Sequence, residues 1–196
     1  MELPIEAYGN SILRQSCSDC PFDRNALKSL TESMWRTMIR ANGCGLAAPQ
    51  IGRAIKLFIV DTRSTYESLS PEARASYFEK EDRGIAETFI NAKILSYSQK
   101  EWNDYEGCLS IPGISKEVLR PWSIKIEYYT ANFEKQEKNF GGYTARVIQH
   151  EYDHTNGILY TDRVDKMGKK QTAKKLKEIA KGKIEVPYAI KFAKTE

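Results

Sequence analysis

The chain contains two histidines, and they stand four residues apart in Gln149-His150-Glu151-Tyr152-Asp153-His154, which reads H-E-x-x-H. At about 3.6 residues per turn, positions four apart lie roughly 40° from each other and one turn apart, so on a helix both imidazoles face one point. Glu151 sits roughly 100° further round, beside that point rather than on it. Such spacing puts two nitrogen ligands on a metal ion and a carboxylate next to the water the ion carries. The competing reading is a solvated helix face without chemistry. Two imidazoles leave an ion such as zinc two ligands short of tetrahedral; a catalytic site adds one more protein ligand and keeps the last position for water. Glu178, Glu185 and Glu196 lie downstream, but in a lysine-rich tail ill suited to a shared buried site. Cys108, in Glu106-Gly107-Cys108-Leu109-Ser110, is the better candidate, a strong thiolate ligand in a turn open to approach. On that pentapeptide alone it fits a small buried hydrophobe equally well.

A second stretch with chemical promise is Gly43-Cys44-Gly45-Leu46-Ala47-Ala48-Pro49-Gln50. Glycines, small residues and a proline predict irregular backbone that a ligand approaches closely. It lacks the lysine of a phosphate loop, which sets nucleotide binding aside. The Gln50 amide is placed to donate a hydrogen bond into a site. Cys17-Ser18-Asp19-Cys20 is a lone C-x-x-C without a second pair, and reads as two loop cysteines rather than a zinc or redox site.

Each of these groups needs an element to hold it. Asp23 to Ala41 keeps one apolar face through Leu27, Leu30, Met34, Met38 and Ile39, with Asp23 as N-cap and Asn42-Gly43 as a stop, which predicts a core helix. Leu3 to Leu13 reads as an extended arm. Ile55 to Val60, Ala86 to Tyr97, Ser123 to Tyr129, Phe133 to Phe140 and the short Ile158 to Tyr160 read as strands. Thr62 to Ile85, with a short helix from Pro71 to Phe78, reads as a surface insertion between two strands. Gly141-Gly142 opens the histidine helix, Val147 and Ile148 supply its apolar contacts, and Gly157 suits its C-terminal end. From Lys166 lysines crowd another helix, with Leu176, Ile179 and Ala180 as its apolar face; Lys183 to Phe192 reads as an edge strand because it contains Pro187. The elements predict an α+β fold, with mixed or antiparallel sheets around the central helix that carries H-E-x-x-H.

The three motifs together resemble the peptide deformylase family. Gly43 to Gln50 is similar to its first motif, Glu106 to Ser110 to its second, and His150 to His154 preceded by Gln149 to its third, in the family's order and with similar spacing. The resemblance runs from the N-terminal arm to about Asp162. Cys44 departs from it, occupying a position usually aliphatic. The resemblance implies a metal-dependent hydrolase that removes the N-formyl group from the N-terminal formylmethionine of new polypeptides. It implies that Cys108, His150 and His154 hold one divalent metal ion, natively ferrous iron with zinc or nickel as substitutes. Glu151 is then general base and general acid, and Gln50 with the backbone N–H of Leu109 stabilises the oxyanion.

Substrate contacts follow from the same frame. Cys44, Tyr143 and Val147 are candidates for the methionine slot, against the alternative of ordinary core contacts. The Gly43, Cys44, Gly45 and Leu46 backbone, with Gly107 nearby, is the candidate rail for an extended peptide. The rivals are an H-E-x-x-H zinc endopeptidase and an inactive basic ribosome-binding module. With 196 residues, the chain is expected to be a single catalytic domain over 1–196, carrying the insertion at about 62–85 and the lysine-rich helix at about 166–182. A net charge of +4 proves no partner, but the lysine-rich helix is a candidate contact for ribosomal RNA as well as a solvated face. No apolar run approaches a membrane span. The first residues lack the layout of a secretory signal or a transit peptide, which predicts a cytoplasmic, bacterial-type protein.

Overall fold

The computed structural model describes residues 2–193. The arm is not simply extended. Ile5–Glu6 forms a short strand (β1) and Ser11–Arg14 a 3-10 turn. Asp23 accepts hydrogen bonds from the amides of Asn25 and Ala26 and starts helix α1, Arg24–Arg40, as its N-cap position predicts. Ile39, expected on the apolar face, instead points outward at 67% exposure, because it lies about 100° round from Met38. Asn42 follows at a left-handed φ of 56° and ends the helix.

The glycine-rich stretch is more regular than its composition predicts. Gly45–Ala47 is a strand (β2), and Ala48–Ile51 closes it with a 3-10 turn. Small residues let this strand pass close to a helix, a use of glycine that composition alone does not distinguish from a loop. Strand β3 is Leu57–Asp61. The segment read as an insertion then folds into α2, Arg63–Ser68, and α3, Pro71–Tyr77, with Ser70 as the α3 N-cap. Strand β4 is Ala86–Tyr97. Strands β5, Glu101–Cys108, and β6, Ile111–Pro121, make a hairpin whose tip is Leu109-Ser110, so Cys108 ends a strand rather than sitting within a turn. Strands β7, Ser123–Tyr129, and β8, Lys135–Gly141, follow.

Strands β2-β3-β4-β7-β8, in that order, form one antiparallel sheet with β2 at its edge. The histidine helix α4, Gly142–Thr155, lies on this sheet. Ala145, Val147 and Ile148 pack with Phe58, Val60 and Phe89 in one core, and a second core joins α1 to Leu46, Leu57 and Ile59. Of α4 only Tyr143 and Tyr152 escape full burial. Charged residues on a helix buried on all sides must find partners, and those partners make the site.

Tyr160–Arg163 is a one-turn helix (α5), not the tail of a strand from Ile158, because the Asp162 carboxylate accepts the Leu159 N–H at 2.9 Å and turns the chain. Helix α6 is Lys166–Ala180, capped by Asp165, with Ile179 buried among Leu13, Ile111 and Leu159. The closing strand shrinks to Ile190–Lys191 (β9), paired parallel with β1, since Pro187 has no amide to give a ladder. No helix among the described residues is long and apolar enough to cross a membrane. Glu196 lies outside the described residues.

Candidate active site

Helix α4 turns His150 and His154 to one side, with ring centroids 5.0 Å apart. The end of β5 brings in Cys108, whose Sγ lies 3.2 Å from His154 Nε2. One donor atom from each of Cys108, His150 and His154 lies within 4.8 Å of the others, the one such cluster among the described residues. Metal–nitrogen and metal–sulfur bonds of about 2.0–2.3 Å close around a triangle of this size with small adjustment, so the donor set fits one ion. A soft thiolate with two imidazoles suits a transition metal such as iron, nickel or zinc, and is foreign to magnesium or calcium. Cys17 and Cys20 take no part; both are buried thiols, pushed up to about 11 by burial.

Glu106 fixes the first histidine. Its Oε2 lies 2.9 Å from His150 Nδ1, so the ring donates there and keeps Nε2 as its ligand atom. Glu106 in turn accepts from Arg120 at 2.6 and 2.9 Å and from Arg146 at 2.6 Å. Burial alone would push this carboxyl up, but the hydrogen bonds from His150 and Arg120 hold it well below the usual carboxylate range. Arg120 also donates to Asp153 at 2.8 Å, and Arg163 binds the same carboxylate through two bonds of 2.7 Å. Burial, with His150 and Arg120 nearby, keeps His154 neutral, its pKa well below the ordinary value.

Glu151 lies on the strand β2 side of the helix. Its Oε2 is buried without a hydrogen-bond partner, and burial pushes the carboxyl up to about 7. A carboxyl poised near neutrality can both take and return a proton. Gly45 makes room for it: a Cβ there would meet Glu151 Oε1 at 2.4 Å. Gln50 is equally fixed. Its Oε1 accepts the Ala47 N–H at 2.8 Å, which points its NH2 group at Cys108 Sγ, 3.4 Å away, and at Ser110 Oγ, 3.3 Å away.

A cleft of about 880 Å³ opens over these groups. Gly43, Cys44, Gly45, Gly107, Tyr143 and Val147 all line it. Leu46 does not: its side chain is fully buried in the α1 core, so only its main chain is available to a ligand. Tyr143 donates to the Cys44 thiol at 3.5 Å, which gives the slot a polar corner. The insertion reaches this wall, as Phe78 packs on Tyr143 with centroids 5.7 Å apart and Thr144 donates to Asp82 at 2.6 Å. Glu185 of the tail also lines the cleft but stands outside the ligand cluster.

Sequence reasoning did not find Glu106, Arg120, Arg146 or Asp153 as supports of the site. One signal was available: Arg146 and Asp153 share a helix with the histidines, and charges on a helix that carries ligands inward must themselves be paired.

An α+β sheet wrapped around a buried helix, with two imidazoles, a hairpin thiol and a shielded carboxyl meeting in an open cleft, defines a metal-dependent hydrolase. The family model described as polypeptide deformylase matches residues 2–170. The peptide deformylase of Flavobacterium psychrophilum is 44% identical over 194 residues, covering 98% of this chain and 97% of that protein. That of Christiangramia forsetii is 40% identical, covering 98% and 96%. Among solved structures, a peptide deformylase of Arabidopsis thaliana in complex with an inhibitor superposes with a TM-score of 0.78 at 31% identity, covering 92% of both chains. A Plasmodium falciparum peptide deformylase complex with inhibitor gives 0.75 at 30%, covering 90% and 99%. The chain belongs to the polypeptide deformylase family.

Proposed function

We propose that this chain removes the N-formyl group from the N-terminal formylmethionine of newly made polypeptides and releases formate. The observation that carries the reading is the Cys108 thiol 3.2 Å from His154 Nε2, beside a buried carboxyl with a free oxygen. Cys108, His150 and His154 hold one divalent ion, ferrous iron in the cell, with zinc or nickel able to replace it. When bound, that ion acidifies a water and polarises the formyl oxygen as a Lewis acid.

The chain's own groups do the rest. Glu151 takes the proton of the attacking water as its oxygen bonds to the formyl carbon. It returns that proton to the amine nitrogen as the carbon–nitrogen bond breaks, general catalysis worth typically 10²–10⁴-fold. Negative charge develops on the formyl oxygen, where the Gln50 NH2 group and the Leu109 N–H donate; one such preorganised donor is worth about 3–4 kcal/mol. Cys44, Tyr143 and Val147 take the methionine side chain. Edge strand β2 has one side unpaired in the sheet, which suits a peptide laid alongside Gly43 to Leu46 with Gly107 opposite. Reading main chain rather than side chains agrees with a substrate of many sequences. The catalytic unit is the single domain 1–196, acting in the cytoplasm where nascent chains emerge. The test is formate release from a formyl-Met peptide by anaerobically iron-loaded protein. Release is expected; cleavage of internal peptide bonds without formate would favour an endopeptidase instead.

A further inference from the structure

The tip of the β5–β6 hairpin carries the Leu109 N–H, yet its two residues lie outside the ladder, and their carbonyls need partners from elsewhere. Both find them at the two ends of the chain. The Tyr188 hydroxyl donates to Leu109 O at 2.8 Å, and the Tyr8 N–H donates to Ser110 O at 2.8 Å. Tyr8 lies just after β1 and Tyr188 just before β9, and these two strands pair with each other, Ile5 opposite Ile190. Hydrogen bonds of 2.9 Å from Ile5 N to Ala189 O and from Ala7 N to Lys191 O close the pair. Tyr188 also lines the cleft.

We infer that the paired chain ends form a clamp on this tip, and that Tyr188 is a positioning residue for the Leu109 amide. The inference rests on the deformylase reading, in which that amide meets the oxyanion. The physical step is short. Leu109 has two backbone torsions; holding its carbonyl through Tyr188 and the carbonyl of the next residue, Ser110, through the Tyr8 amide removes freedom from both. Its side chain is confined as well, since a Cβ on Gly43 would lie 2.8 Å from Leu109 Cδ1. A donor that is already aimed needs no reordering when charge develops, and this appears in kcat rather than in substrate binding.

Two variants and two readouts test this. Tyr188→Phe keeps the ring and removes the hydroxyl. It is expected to lower kcat about fivefold, the order of one net hydrogen bond, with KM within about twofold of the parent. Amide hydrogen exchange at Leu109 and Ser110, measured without substrate, is expected to quicken by a similar factor. Tyr188→Leu also strips the ring from the cleft wall, and should show the same kcat loss with KM raised in addition. Unchanged kcat and unchanged exchange in Tyr188→Phe would overturn the inference. A loss carried wholly by KM, or loss of the folded circular dichroism spectrum, would do so too, since it would make Tyr188 a wall or a purely structural residue. If the parent protein releases no formate, the functional reading fails by itself, and the exchange rates still decide the clamp.

Discussion

Gly45 carries no side chain in the place the Glu151 carboxyl occupies; an added Cβ would lie 2.4 Å from Oε1. Gly45→Ala therefore has to displace the carboxyl, and misplacement on the scale of an ångström costs about 10²-fold in rate. Formate release should fall by about that factor with the far-ultraviolet spectrum intact; a near-parental rate would contradict the packing. Glu151 itself links catalysis to stability. Its pKa is raised to about 7 by burial, so the neutral form favours the fold below the ordinary carboxyl value of 4.5, and that advantage disappears as pH rises through about 7. In the metal-free protein, Glu151→Gln should melt above the parent at pH 8 and with it at pH 4. Equal melting at both would mean that the carboxyl is not desolvated. At this scale the reacting groups were legible, because a metal site demands particular residue types at particular spacing. Their supports were not. Glu106, Arg120 and Asp153 are far apart in sequence, and charged residues usually face solvent, so only the folded chain reveals that they converge.

Helix α4 differs from an ordinary surface helix in having no solvated face. Its charges are neutralised by strands β5 and β6: Arg120 and Arg146 close on Glu106, and Glu106 on His150. Removing Glu106 would leave the buried Arg146 guanidinium without its carboxylate and Arg120 with Asp153 alone, a loss of about 3–5 kcal/mol. Glu106→Leu is expected to lower the denaturant midpoint accordingly and to weaken metal retention, as His150 loses the partner that fixes its ring. An unchanged midpoint would mean that the network contributes little to the fold. Elements with one buried face were readable: α1 shows its apolar spacing and its cap. Strands β5 and β6 are not among the strands the sequence predicts; β6 contains Pro112, Gly113 and Pro121, residue types that strand interiors disfavour, and Gly113 takes a left-handed φ of 68° within it. The Ile158 to Tyr160 run was too short for periodicity to separate strand from turn.

Across the whole molecule, charge is unevenly placed. Lys169, Lys170, Lys174, Lys177 and Lys181 are exposed on or just after α6, whose inner side packs Ile179 into the core. If this face meets ribosomal RNA, a chain ended after Asp165 should lose ribosome binding, and binding by the full chain should weaken steeply with salt. Salt-independent binding, or equal binding by the shortened chain, would leave the lysines a solvated face. The overall α+β layout could be read from element order, while the pairing of the chain's two ends could not, since two-residue strands leave no pattern. Most of what distinguishes this molecule still converges on one point between β5 and α4. The direct measurement is metal content together with formate release for the parent, Glu151→Ala and Cys108→Ser. Glu151→Ala should keep about one ion per chain and lose at least 10²-fold in turnover, whereas Cys108→Ser should lose the ion. A Glu151→Ala protein that turns over at the parental rate, or a Cys108→Ser protein that keeps both its ion and the parental metal preference, would contradict the assigned chemistry.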